Sequence, residues 1–258
     1  MKTLCLVLLI ALLPALSFAG EYGAELESVD IDVSDKGALQ DGAQTFVNYC
    51  MGCHSASFQR YERVADDLGI SHELMLEKLA PAGAKIGDHM TIGMQPADAK
   101  NWFGAAPPDL TLVARVRGTD WLYGYLRSFY EDPTRPWGVN NSVLPDVAMP
   151  NVLEGLQGRQ RLGCQQVPRG EGDKKSDGPA GSPLTDQACD QLMTMANTGT
   201  LTEEQFNEKI KNLVTFLAYS ANPDKLQHQR IGTFVLLYLA GLFILAYLLK
   251  REFWKDIH

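Results

Sequence analysis

Residues Cys50-Met51-Gly52-Cys53-His54 form a C-x-x-C-H motif, and no other stretch restricts the fold of this chain so strongly. Two thiols at this spacing can reach the two vinyl groups of one porphyrin, and the adjoining imidazole then falls under the iron. A fold built on such a group must wrap a flat, largely apolar disc, which supplies core that the chain alone lacks. Two other chemistries use paired cysteines. Thioredoxin-like pairs lack the histidine and follow a strand. A structural zinc needs a second pair of ligands at short spacing, and the sequence offers none. The motif therefore reads as the covalent attachment site of one haem c.

The flanking sequence sets a compartment. Residues 1–19 have the parts of a secretory signal peptide: Lys2, an apolar run from Leu4 to Leu16, and Ser17-Phe18-Ala19 ahead of Gly20. The run is short for a membrane span and carries Pro14, which favours cleavage over a retained anchor. A second apolar run, Ile231 to Leu249, has no charge and is long enough to cross a bilayer. Lys250, Arg251 and Lys255 follow it, but Lys225 and Arg230 precede it, so basic residues alone do not orient it. The signal peptide does: the bulk is exported and the tail to His258 stays inside. The expected organisation is a signal peptide (1–19), a haem domain (20–223) with a loop insertion near 154–190, and an anchor with a short tail (224–258).

Of five cysteines, Cys5 leaves with the signal and Cys50 and Cys53 take the haem. Cys164 and Cys189 remain, a pair suited to a disulfide in an oxidising compartment. The polar stretch Gly170 to Pro179 between them reads as a surface loop stapled at its base, a closure worth about 3 kcal/mol in the chain-entropy model. The formal net charge of −8 argues against nucleic acid as a partner. Glu25, Glu27, Asp30, Asp32, Asp35 and Asp41 crowd the segment before the motif, where they suit either the steering of a basic partner or plain solvation.

Helical periods dominate, and no strand alternation stands out. Leu39, Ala43, Phe46 and Val47 form one stripe behind Ser34 or Asp35 as N-cap, on a helix that delivers Cys50 at its end. Ser71 caps a short helix reaching Ala80. Thr119 caps another, with Leu122, Tyr125, Leu126 and Phe129 on one face. Thr202 and Gln205 form a capping box ahead of Phe206, Ile210, Leu213, Val214 and Leu217. Long Pro/Gly-rich segments (81–96, 104–109, 131–150, 154–185) separate these helices, and loops of that length usually have a task. The fold class is mainly α: a cytochrome c-like haem domain with long loops and one C-terminal transmembrane helix.

An electron-transfer haem takes a second axial ligand, and His/Met ligation raises its potential. Spacing does not choose among Met90, Met94, Met149, Met193, Met195, His72 and His89. Met149 is set apart by Pro145 and Pro150, which stiffen the backbone on both sides.

The ordered set Gln44 to Ser55, Ala106-Pro107-Pro108-Asp109-Leu110-Thr111, Ala148-Met149-Pro150 and Ala218-Tyr219-Ser220, with a single C-terminal anchor, resembles cytochrome c1. That family is the haem subunit of the cytochrome bc1 complex, here in its bacterial form, and the likeness covers most of residues 36–250. It implies Met149 as axial ligand with His54, the segment containing Pro108 at the haem edge, and Arg117 at a propionate, with Arg115 as the competing choice. The family's propionate tyrosine is replaced by Trp121, which can donate one N–H but cannot accept. The implied partners are cytochrome b and the Rieske iron–sulfur protein, with a soluble cytochrome c or similar carrier as acceptor. The implied site is a bacterial inner membrane, with the haem domain in the periplasm. The subunit is not expected to be an enzyme by itself. A membrane-anchored monohaem cytochrome serving a terminal oxidase is the alternative.

Overall fold

The computed structural model describes residues 26–168 and 185–255, without the side chains of 164–168, 185–190, 226, 229 and 230. Residues 1–19, read from the sequence as a signal peptide, lie outside the described residues. Among the described residues the chain is mostly helices joined by loops, with three two-stranded antiparallel ladders.

Helix α1 (Lys36–Thr45) begins at Asp35, whose carboxylate accepts from the amides of Gly37 and Ala38 at 2.9 and 3.1 Å. Two donors orphaned by the helix start are thereby satisfied. The helix then widens into a π-turn over Phe46–Cys50, closed by the Met51 amide on the Phe46 carbonyl at 2.9 Å. Strand β1 (Ala56–Arg60), α2 (Tyr61–Leu68) and α3 (His72–Lys78, capped by Ser71) follow, and β2 (His89–Met90) pairs with β1. Then come α4 (Pro96–Phe103), α5 (Val113–Arg117), α6 (Thr119–Arg127), and the pair β3 (Phe129–Glu131) and β4 (Val139–Asn141). The single turn α7 (Glu154–Gln157) leads to the hairpin of β5 (Gln160–Pro168) and β6 (Thr185–Thr194). Helix α8 (Glu203–Ala221) opens with the Thr202–Gln205 capping box, and α9 (Lys225–Phe253) ends the described chain.

Three expectations need correction. Thr119 is the first residue of α6, and its cap position is held by Gly118 at φ 87°, a left-handed value natural to glycine. Strands do occur. β2, β3 and β4 have two or three residues, too few for alternation to register, while β5 and β6 are polar along much of their length. The 154–185 segment is accordingly a helical turn and a strand before it is a loop. Phe129 is buried as expected, but in β3 and not on the helix. The Cys164 and Cys189 side chains lie outside the described residues. Backbone pairing joins Gly163 to Gln191 and Gln165 to Ala188, so Cys164 faces the Cys189–Asp190 step across a bulge.

The core forms where α1 crosses α8. Phe46, Leu213, Val214 and Phe216 are fully buried, and the Phe46 and Phe216 rings lie 5.6 Å apart. Phe206, Ile210 and Leu217 are buried on the same helix, as its stripe predicts. Gly42 permits the crossing: a β-carbon there would fall 2.1 Å from the Asn212 carbonyl oxygen. Beside it, the Asp41 carboxylate accepts from Lys209 Nζ and from Asn212 Nδ2 at 3.0 Å. Near the far end of α8, Tyr219 Oη donates to Asp67 at 2.7 Å, and Arg63 bridges Asp67 and Asp224. That cluster ties α2 to the root of α9. Within α9, Ile231–Phe253 is 23 residues long, apolar and unburied. At about 1.5 Å per residue it measures about 35 Å, enough to cross a hydrocarbon core of about 30 Å.

Gly42→Ala is expected to lower stability by about 1–3 kcal/mol, the usual cost of overpacking, because backbone must move aside. Thermal unfolding against wild type measures it, with a drop in Tm as the expected result.

Candidate functional site

The π-turn decides how the C-x-x-C-H residues are presented. Beyond it the chain coils tightly, with the amides of Cys53 and His54 both donating to the Cys50 carbonyl at 3.0 and 2.9 Å. Cys50 is buried and Cys53 half-buried. Burial, reinforced by Cys53, pushes the Cys50 thiol up to about 12, so it stays protonated at neutral pH.

His54 is fixed from across the chain. Its Nδ1 lies 2.7 Å from the carbonyl oxygen of Pro108. A carbonyl only accepts, so Nδ1 carries the hydrogen and the Nε2 lone pair is free. Burial lowers the imidazole pKa, outweighing the opposing effects of the Pro108 carbonyl and Asp109, and keeps the ring neutral. The Pro108 segment is itself tied down. The Leu110 amide donates to the Ser55 carbonyl at 2.8 Å. Asp109 accepts from the amides of Ser57 (2.8 Å) and Thr111 (2.9 Å) and from the Thr111 hydroxyl. Partial burial would raise the Asp109 pKa, but these hydrogen bonds together hold it below the usual carboxylate range.

Cys50, Cys53, His54 and Pro108 line a cavity of about 120 Å³ whose other walls include Tyr49, Phe103, Pro107, Val152 and Met149. Helix α4 ends at Gly104 in a left-handed turn (φ 80°), which starts the Ala105–Pro108 wall. Phe103 packs against Trp137 at 5.6 Å. The structure thus brings together Cys50, Cys53, His54, Pro108 and Met149. The rival ligands lie elsewhere: Met90 is buried in β2 and Met193 is exposed on β6. His72 bonds Asp66 at 2.8 Å, and His89 faces Arg60 across the β1–β2 pair. Met195 lines a larger hollow beside α6 and α8 that contains no thiol or imidazole. Arg115 and Arg117 are exposed and outside the cavity lining. The Arg117 guanidinium sits 4.9 Å from the centroid of the Trp121 ring.

The donor set suits haem c. Two thiols, a neutral imidazole whose Nε2 makes no hydrogen bond to Pro108, a thioether and walls of Pro, Ala, Val and Phe fit a covalently attached porphyrin. The residue that sequence reasoning placed only in the core is Tyr125, whose hydroxyl donates to Met149 Sδ at 3.3 Å. No periodicity announces such a contact. Part of the acidic segment is also used internally, Glu27 by Arg127, Asp41 by Lys209 and Asp35 as a cap.

Residues 181–257 match the model of the Cytochrome C1 family. Along its whole length the chain is 44% identical to all of cytochrome c1 of Allochromatium vinosum. It is 38% identical to the ammonia monooxygenase gamma subunit of Nitrosomonas europaea, over 98% of this chain and 97% of that one. The mitochondrial cytochrome c1 heme protein of Kluyveromyces lactis is 24% identical over 88% of this chain and 73% of its own. A cavity walled by a C-x-x-C-H turn and a proline-framed methionine, on a chain alike from end to end, leads to one conclusion: this chain belongs to the cytochrome c1 family.

Proposed function

We propose that this chain is a membrane-anchored monohaem cytochrome that carries electrons from a Rieske iron–sulfur protein to a soluble cytochrome c within the cytochrome bc1 complex. One observation carries the proposal: Cys50, Cys53, His54 and Met149 line a single apolar cavity. Haem, when bound there, supplies an iron that gains and loses one electron. The chain's residues do the rest. Cys50 and Cys53 would attach it through their sulfurs, and His54 Nε2 and Met149 Sδ would hold its iron, whose chemistry is then electron transfer. The Pro108 carbonyl fixes the tautomer and plane of His54, as outer-shell partners of metal-bound imidazoles do. The apolar walls exclude water and thereby raise the cost of the ferric charge. Arg117 is assigned to a propionate on family likeness, with its guanidinium stacked on Trp121 in this conformation.

In this reading residues 1–19 direct export, 20–223 form the periplasmic domain, Cys164 and Cys189 are bonded, and 224–258 hold the protein in the inner membrane by the span within α9. The near full-length likeness to an ammonia monooxygenase gamma subunit favours a second reading, the same relay assembled with a different oxidoreductase. Purification in mild detergent separates the two. Cytochrome b and a Rieske protein should accompany the chain, and their replacement by other subunits would overturn the first reading.

Met149→Leu is expected to leave haem covalently attached but lower the midpoint potential on the order of 0.1 V, part of the roughly 0.8 V that axial ligands span. Redox titration with visible spectra reads both. Asp109→Asn is expected to loosen the Pro108 wall and destabilise the loaded protein by about 1 kcal/mol at neutral pH. The folded carboxyl titrates below its unfolded value of about 3.9, so its contribution is present above that pH and lost as pH falls through the folded pKa. Thermal unfolding from pH 7 downward should therefore show the gap between variant and wild type closing only in strong acid.

A further inference from the structure

A thioether sulfur has two lone pairs. If Met149 gives one to iron, the other needs a position of its own, and the structure provides a donor for it. Tyr125 Oη donates to Met149 Sδ at 3.3 Å. The phenol is held firmly. Its ring stacks on Trp121 at 4.9 Å with 9° between planes, and meets Phe129 edge-on at 5.3 Å. Tyr125 is 9% exposed and Phe129 is 1% exposed.

The methionine's loop is tied to the same helix turn. Asn141, wholly buried, donates Nδ2 to the Tyr125 carbonyl at 2.8 Å. Its Oδ1 accepts from the amides of Val143 and Leu144 at 2.9 and 3.0 Å. Further along, the Asp146 amide donates to Asn140 Oδ1 at 2.9 Å, and Arg135 bonds the Asp146 carbonyl at 2.8 Å. Hydroxyl and sulfur are thus placed by one connected set of contacts, made by the chain's own residues.

We infer that Tyr125 is a positioning residue for Met149. Its hydroxyl engages one sulfur lone pair, directs the other into the cavity and sets how strongly the thioether donates. The inference rests on Met149 as iron ligand. A hydrogen bond to sulfur draws electron density from it and weakens donation to ferric iron more than to ferrous iron. The contact therefore raises the potential and selects one orientation of the ligand.

Tyr125→Phe in the full-length, haem-loaded protein in detergent is the test, since it keeps the ring stack and removes one oxygen. The expected result is a lower midpoint potential and a shifted or weakened far-red charge-transfer band of the methionine-ligated ferric haem, with haem content and Tm near wild type. Trp121→Leu keeps the hydroxyl but unseats the ring, and should move both readouts the same way by less. It serves if the first variant fails to fold. If Met149→Leu abolishes the band while Tyr125→Phe leaves potential and band unchanged, the positioning role is overturned and the ligand assignment stands. If the band survives Met149→Leu, both fall together.

Discussion

The hydrogen bond from His54 Nδ1 to the Pro108 carbonyl joins residues 54 apart in the chain, and the cavity takes its shape from it. Most of the cavity wall is irregular backbone, which has no ladder or helix to hold it. Such walls keep a shape only where their polar groups are matched one by one. Asp109 does this on the histidine side, gathering Ser57 and Thr111 behind Pro108. Asn141 does it on the methionine side, gripping Tyr125 with one end and the start of the Met149 loop with the other. Both are short side chains able to satisfy several backbone groups at once, as irregular segments require. The regular part of the fold, α1 crossing α8 at Gly42, provides the stiff base from which these loops project.

Much of this was readable beforehand, for physical reasons that differ from place to place. Asp35, Ser71 and the Thr202–Gln205 pair were legible because a cap acts within three residues of itself. The apolar stripe of α8 was legible because burial repeats with the helical period. Met149 stood out only through its flanking prolines and the family likeness, since thioethers occur throughout ordinary cores. The Pro108 carbonyl and Asn141 depend on tertiary distance, which sequence does not contain. Tyr125 read as part of a core face and Trp121 as the replacement of a propionate tyrosine, whereas in the structure the two form a stack that begins under Arg117 and ends at a sulfur. The strands escaped notice because β2, β3 and β4 have only two or three residues, too few for a repeat to show, while β5 and β6 are polar along much of their length.

The acidic balance looks different once partners are assigned. Several carboxylates ahead of the motif work as caps or internal ion pairs, so net charge overstates what is free to meet a partner. Exposed ion pairs add little stability, and the Arg63 cluster matters more for direction than for strength. It joins α2, the end of α8 and Asp224, immediately before α9. A domain held there has fewer ways to swing about α9 than one hung from a free linker.

The π-turn at Phe46–Cys50 contains one residue more per turn than the helix it continues. That surplus rotates everything downstream by about a quarter of a turn, and Cys50, its last residue, lines the cavity. The segment is therefore more tolerant of substitution than of a change in length. Losing a single residue between Asp35 and Cys50 would restore an ordinary helix and turn both thiols off the cavity, even if every side chain named here survived. In a lineage of such chains, insertions and deletions should collect in the hairpin between β5 and β6 and be purged from the ten residues before the motif, whatever their composition.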